Sequence, residues 1–247
     1  MSGHHTVNDV TQLNPVRVMA IVAPQQVEDV QEALRRTNGP VSIGGGRFSM
    51  GGQTACPASL HFDMRTLNRI VFFSPAEKVI RVQEGVRWCD IQRFVDPHGL
   101  SVKIMQTYAN FTVGGSLSVN CHGRYVGLGP MVMSVGAIRV VLHDGNVVEA
   151  TRTQRPELFF GVIGGYGALG IEVEIELDLA ENKRLQRVDQ VMPLCPAHQV
   201  RDTLHQRGTE TRHRGRAGPD AVSKHFFSRI QHARHGWRRG RCNHPPL

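Results

Sequence analysis

Two stretches of this chain carry residue types whose spacing suits the binding of an anion. Gly44-Gly45-Gly46-Arg47-Phe48-Ser49-Met50-Gly51-Gly52 and Phe111-Thr112-Val113-Gly114-Gly115-Ser116-Leu117 lie about sixty residues apart. Glycine has no Cβ, so consecutive glycines let backbone N–H groups turn toward a negative charge at close range. One such loop alone is a weak signal and reads more readily as turn chemistry. Two within one small domain suit a long, doubly charged ligand held at several points, and a dinucleotide pyrophosphate has that form.

Other reactive side chains carry less. Cys56, Cys89, Cys121, Cys195 and Cys242 form no Cys-x-x-Cys pair and no regular framework, which fits reduced thiols in a cytoplasm. Cys195-x-x-His198 and Cys242-x-His244 lack the partner spacing of a zinc centre, so no metal is expected. His4-His5 reads as a solvated terminus. Tyr108 and Tyr166 read as packing residues, Cys121 as a small buried side chain, and His122 as a histidine satisfied by backbone. No catalytic residue is assigned.

The elements that must position these loops follow from periodicity. Val16 to Val22 reads as a strand, and a helix runs from Pro24 to Arg36 with Val27, Val30 and Leu34 on one face. Val41 to Ile43 is a short strand leading into the first glycine loop. Further strands are expected at Leu60–Asp63, Ile70–Ser74 and Val79–Val82, and a second amphipathic helix at Trp88–His98, stopped by Gly99. His143-Asp144-Gly145-Asn146 joins Ile138–Leu142 to Val147–Thr151 as a hairpin. A helix over Glu157–Val162 precedes a third glycine cluster, Gly164-Gly165-Tyr166-Gly167-Ala168-Leu169-Gly170. From Ile171 to Leu179, apolar residues alternate strictly with acids, which implies a strand with its acids facing water. Antiparallel hairpins mixed with helices give an α+β class.

The order of these pieces resembles the FAD-binding domain of the vanillyl-alcohol oxidase / p-cresol methylhydroxylase flavoprotein family, over roughly residues 14–185. Three motifs carry the likeness in sequence order: Ser42 to Gly52, Thr112 to Gly123, and Glu157-Leu158-Phe159-Phe160 through Gly164–Ile171. Asp63-Met64-Arg65-Thr66-Leu67-Asn68-Arg69-Ile70 also matches. The resemblance implies two α+β subdomains, about 14–74 and 75–185, with the cofactor between them and a flexible segment 1–13 in front. It places Gly44, Gly45, Gly46, Arg47, Phe48 and Ser49 at the pyrophosphate, and Thr112, Gly114, Gly115 and Ser116 at the start of a flavin-contacting helix. Val119, Asn120, Cys121 and His122 would line the flavin, Ile171 would contact it through its main chain, and Thr107 matches a further polar contact position. Many relatives attach the flavin through a histidine where this chain has Arg47. A guanidinium stays protonated and is no nucleophile, so the FAD is expected to be non-covalent. A small residue at Gly114 would leave room for O₂, which leans toward an oxidase.

Charge divides the chain. Residues 1–190 hold 18 basic and 18 acidic residues, so the remaining 11 basic and 3 acidic residues of 191–247 account for the whole net charge of +8. Basic charge is therefore no argument for specific nucleic-acid binding by the folded part. The basic tail, residues 186–247, has no periodicity and reads as irregular and poorly ordered. A polyanion-binding segment, a solvated tail and a loss of reading frame near residue 190 all fit it, and the third fits the Arg, His, Gly and Pro bias best. The substrate domain that follows in relatives is absent from this stretch, so the chain reads as truncated. No segment has the length of a membrane span. The resulting expectation is a cytoplasmic, FAD-dependent oxidoreductase acting on a small substrate such as a sugar alcohol, lactone or 2-hydroxy acid, with O₂ or another acceptor. The alternative is a catalytically silent FAD-binding remnant whose tail binds polyanions.

Overall fold

In order, the chain builds β1 (His5–Val7), β2 (Val16–Val18), β3 (Ala20–Val22), α1 (Val27–Arg36), β4 (Val41–Gly44), β5 (Leu60–Asp63), β6 (Ile70–Ser74) and β7 (Val79–Gln83). It continues through α2 (Trp88–Val95), β8 (Leu100–Val102), α3 (Val113–Leu117), β9 (Val135–Val141), β10 (Val147–Thr151), α4 (Pro156–Val162) and β11 (Ile171–Glu181). The computed structural model describes residues 5–124 and 127–183, and every named element belongs to one unit, Met1–Glu181. The expected basic tail lies outside the described residues.

α1 begins where the Asp29 carboxylate accepts the N–H groups of Gln25 and Gln26, at 2.7 and 3.1 Å. Glu28 and Asp29 sit in its first turn and Arg35 and Arg36 in its last, matching the helix dipole. Val27, Val30 and Leu34 are buried. They pack with Leu60 and Phe62 of β5, Met64 and Leu67 of the turn after it, Val141 of β9 and Ile171 and Val173 of β11. A single apolar cluster therefore joins two sheets. One is parallel, ordered β3-β5-β4; the other runs β10-β9-β11-β7-β6 with β8 also paired to β11. Gln31 and Arg35 tighten this union by donating to the Gly145 carbonyl of the β9–β10 turn, at 2.7 and 2.9 Å.

Several sequence expectations change in the folded chain. The single strand expected over Val16–Val22 divides at Met19, the first part pairing β1 and the second β5. β6, grouped with the first subdomain by sequence, pairs antiparallel with β7 in the second sheet. Within the N-terminal segment expected to be flexible, residues 5–13 are tied down. β1 pairs β2, and the buried Asp9 carboxylate accepts from Thr11 and from Asn14 Nδ2, at 2.8 and 2.6 Å. The second helix ends at Val95, with one tighter turn to His98 before Gly99 closes it at φ +69°.

The largest change concerns β11. Its acids do not all face water: Glu172 is 1% and Glu174 7% exposed. β11 is central, paired along its length by β9 and β7 and at its end by β8. A bulge against β9 between Glu172 and Glu174 disturbs the alternation there. Glu174 is compensated by Arg139 at 3.0 Å; Glu172 faces a cavity.

Candidate functional site

Where β4 ends, the chain leaves the parallel sheet through the first glycine loop. A Cβ on Gly45 would lie 2.4 Å from Thr112 Oγ1, and one on Gly46 would lie 2.8 Å from the Phe48 ring. The Gly46 N–H donates to Thr112 Oγ1 at 3.3 Å. A side chain here would have to displace Thr112 or Phe48. Arg47 takes a left-handed conformation (φ +59°), and its carbonyl accepts the Val10 N–H at 3.0 Å, so the N-terminal segment braces the loop.

Thr112 opens α3, a helix of five residues. The Val113 N–H already donates to Val86 O (2.8 Å) and that of Gly114 to Glu84 O (3.0 Å). These two amides are therefore spent on holding the helix, not free for a ligand. Below it, the buried Trp88 Nε1 donates to Ser116 Oγ at 3.0 Å, and Ser116 Oγ donates to Gln106 Oε1 at 2.5 Å. The third glycine cluster joins the far end of α3: Gly164 N–H donates to Leu117 O and Tyr166 N–H to Ser118 O, each at 3.0 Å. All three glycine segments thus meet at one place.

They border a cavity of about 160 Å³. That is smaller than the several hundred Å³ that enclose a drug-sized ligand whole, so a dinucleotide entering it must extend beyond it. Of the residues expected from sequence, Gly45, Gly46, Arg47, Phe48, Ser49, Thr112, Gly115, Ser116 and Val119 line it. The remaining seven do not. Gly44 stays in β4, where a Cβ would meet the His61 ring at 2.8 Å. Gly114 is turned away from the cavity against Glu84, whose Cγ lies 1.7 Å from where its Cβ would be. The opening that a small residue there was expected to provide is thus filled by Glu84. Asn120 Oδ1 accepts the Val132 N–H at 3.1 Å. Cys121 is buried beside Met131, and burial pushes its thiol up to about 11, so it is not a thiolate nucleophile. His122 is exposed, not in the core. Thr107 is half-buried, and Ile171 belongs to the core around α1.

Sequence reasoning missed Ile43, Gln53, Thr54, Glu84, Gln106, Phe111, Ser118, Gly167 and Glu172, and misjudged Tyr166, which lines the cavity while 70% exposed. Tyr166 had a signal: it sits inside a glycine cluster, at φ +54°. Glu84 had none, since a single acid after a strand reads as a solvated turn.

Three sets of charged groups set the electrostatics. Asp63 accepts from Arg47 Nη2 at 2.8 Å and from Arg65 Nη2 at 2.5 Å. Burial raises the Asp63 carboxyl, but the two guanidiniums outweigh it and hold it below its ordinary value. Two cations on one anion leave a net positive charge at this wall, and the buried Arg47 Nε has no hydrogen-bond partner. Beside it, His61 is fully buried on a Ser59–Ser42–His61 hydrogen-bond chain, and burial with the nearby Arg47 brings it down to about 4, so it is neutral. Opposite in character, Glu84 and Glu172 sit at the cavity with Glu84 Oε2 and Glu172 Oε1 unpartnered. Burial, and for Glu84 the neighbouring Glu172, pushes both up, Glu172 to about 7.

The arrangement fits a phosphate-bearing dinucleotide: glycines packed so closely that a Cβ on Gly45 or Gly46 would strike Thr112 or Phe48, a guanidinium from Arg47 and unpartnered buried polar atoms at one cavity. Among the described residues, no group of His, Cys, Asp and Glu is disposed to hold a metal, and no helix is long and apolar enough to cross a membrane. Comparison with known proteins agrees with this picture. Residues 18–151 match a family model described as an FAD binding domain. Cytokinin dehydrogenase 5 of Arabidopsis thaliana is 30% identical over 178 residues, 67% of this chain and 33% of its own length. An uncharacterized oxidoreductase of the fasciation locus of Rhodococcoides fascians is 31% identical over 163 residues, covering 64% and 37%. L-gulonolactone oxidase of Bos taurus is 25% identical over 166 residues, covering 66% and 38%. The chain thus spans about a third of the length of these curated relatives.

Proposed function

Because this chain belongs to the family of FAD-binding domains and its cofactor is FAD, we propose that it holds that flavin non-covalently as part of an oxidoreductase acting on a small CH–OH substrate. One observation carries the reading: two glycine segments remote in sequence are bonded to each other through Gly46 and Thr112 and open on one cavity. When bound, FAD supplies two-electron acceptance at its ring system; the chain supplies binding and placement.

The first loop, Gly45 to Ser49, would take the pyrophosphate, with the Arg47–Asp63–Arg65 cluster offsetting its charge. Thr112, Gly115, Ser116 and Val119 would hold the neighbouring part of the nucleotide, and Gln106, Glu84 and Glu172 would form polar contacts deeper in the cavity. Non-covalent binding is supported by the side chains present. Arg47 is a protonated partner of Asp63, and none of the described histidines or cysteines lines the cavity. Sugar alcohols, lactones and 2-hydroxy acids remain the substrate classes. Both a dehydrogenase and an oxidase occur among the relatives' names, so the acceptor, O₂ or another, is assigned by measurement.

Titration of the purified full chain with FAD, followed by acid precipitation, tests this directly. The expected result is saturable flavin binding, all of the flavin appearing in the supernatant, and affinity at least tenfold weaker in Gly45→Ala. A chain that retains no FAD overturns the reading, and yellow colour left in the precipitate overturns its non-covalent part. Anaerobic bleaching by one of the substrate classes supports turnover. Its absence with all of them favours a silent FAD-binding unit.

A further inference from the structure

Glu84 and Glu172 are the two acids that line the cavity, and contact with FAD does not by itself explain why both are buried there. Glu84 follows β7, and its N–H donates to Val173 O at 3.3 Å, which sets it beside the start of β11 and next to Glu172. They are 3% and 1% exposed, and each keeps one oxygen without a hydrogen-bond partner. A buried carboxylate without partners is strongly disfavoured, and two adjacent ones more so.

Among the described residues, the nearby cations are already engaged elsewhere. On β7, Arg81 is held by Glu149 and Glu176 at 2.9 and 3.0 Å. On β9, Arg139 is held by Glu174 at 3.0 Å. Arg47, which lines the cavity, shares Asp63 with Arg65, and the nearby His61 is neutral. β11 adds only further acids, and α3 (Val-Gly-Gly-Ser-Leu) has no titratable group. The remaining polar neighbours, Thr112, Ser116 and Gln106, are neutral. The close seating of Glu84 against Gly114, where a Cβ would fall 1.7 Å from Cγ, fixes the carboxyl in place instead of letting it swing to solvent.

We propose that Glu84 and Glu172 form a proton-sharing carboxyl subsite of the FAD cavity, which donates a hydrogen bond to an acceptor atom of the bound nucleotide, so that FAD is taken up together with a proton. The inference rests on the FAD reading above. The proton comes from solvent and settles on one carboxyl oxygen of the pair; no other bond changes. Ionised, the pair would present two unpaired negative charges to a ligand that is itself an anion. Burial pushes both carboxyls up, in keeping with a pair that still holds a proton near neutral pH.

The test is FAD binding by the full chain between pH 5.5 and 9, read as flavin fluorescence quenching. Proton uptake is measured in parallel by calorimetry in two buffers of different ionisation enthalpy. The expected result is uptake approaching one proton per FAD on the alkaline side, with Kd weakening by about tenfold per pH unit there. Glu84→Gln and Glu172→Gln, which keep an N–H donor but cannot ionise, should each flatten that slope. FAD binding with no proton uptake and an affinity constant across the range overturns this proposal and leaves the FAD reading standing. A wild-type slope retained in both variants also overturns it. Absence of FAD binding at every pH overturns both. The wild-type proton count needs no variant, so the proposal stays exposed even where a glutamine variant fails to fold.

Discussion

Single buried residues decide how this protein responds to pH. His61 is held neutral by burial and by Arg47, down to about 4 against an ordinary 6.5. A histidine whose folded value is lowered binds fewer protons folded than unfolded, so its contribution to stability is present above about 6.5 and is lost as the pH falls toward about 4. In His61→Asn that loss is absent. We expect wild type to lose stability relative to the variant by on the order of 3 kcal/mol between pH 6.5 and 4, measured by urea denaturation at each pH. A difference between the two proteins that does not change with pH would show that the imidazole is charged in the fold. Glu172 has the opposite sign. Its folded value is raised to about 7, so the stability it contributes is present below its unfolded value and is lost as the pH rises through about 7.

Elements impose their own constraint where the sheets meet. Between β7 and α2 the chain passes beneath the turn that follows β5, with Gly85 N–H donating to Leu67 O at 2.7 Å. A Cβ on Gly85 would fall 2.2 Å from Met64 O and 2.7 Å from Leu67 O. Those are main-chain atoms, and the turn carrying them is anchored in the core by Met64 and Leu67. Nothing flexible can give way. Gly85→Ala is therefore expected to destabilise the fold by about 3 kcal/mol, the upper end for overpacking, with the unfolding midpoint in denaturant as the readout. By comparison, Gly39→Ala meets nothing within 4 Å and should be nearly neutral. Equal effects of the two would refute the crossing described here. The apolar periodicity of α1, the Asp-Gly hairpin and the glycine stop after α2 made these elements legible in sequence. The crossing was not, because Gly85 gains its meaning from Met64 and Leu67, which only the fold brings near it.

For the whole molecule, charge and architecture separate along the chain. The excess of basic over acidic residues in 191–247 equals the full net charge of +8. The chain of residues 1–247 should bind heparin at low salt and elute as salt rises, whereas one ending at residue 190 should pass through; retention of the shorter chain would place a basic surface on the folded part instead. In the unit Met1–Glu181 the elements serve to bring three glycine segments to one cavity.

The sequence by itself determined the class of this protein, because glycine runs, hairpin signals and helix periodicity are local and survive without any knowledge of neighbours. It also named nine of the residues that line the cavity. Tertiary structure alone decided which amides were already spent, as at Val113 and Gly114, and which polar atoms were left without partners. It alone turned Glu172, an acid of an apparently half-wet strand, into a buried neighbour of Glu84. Alternation specifies two faces but not what covers them; β11 became a central strand, and burial, not pattern, gave its acids their chemistry.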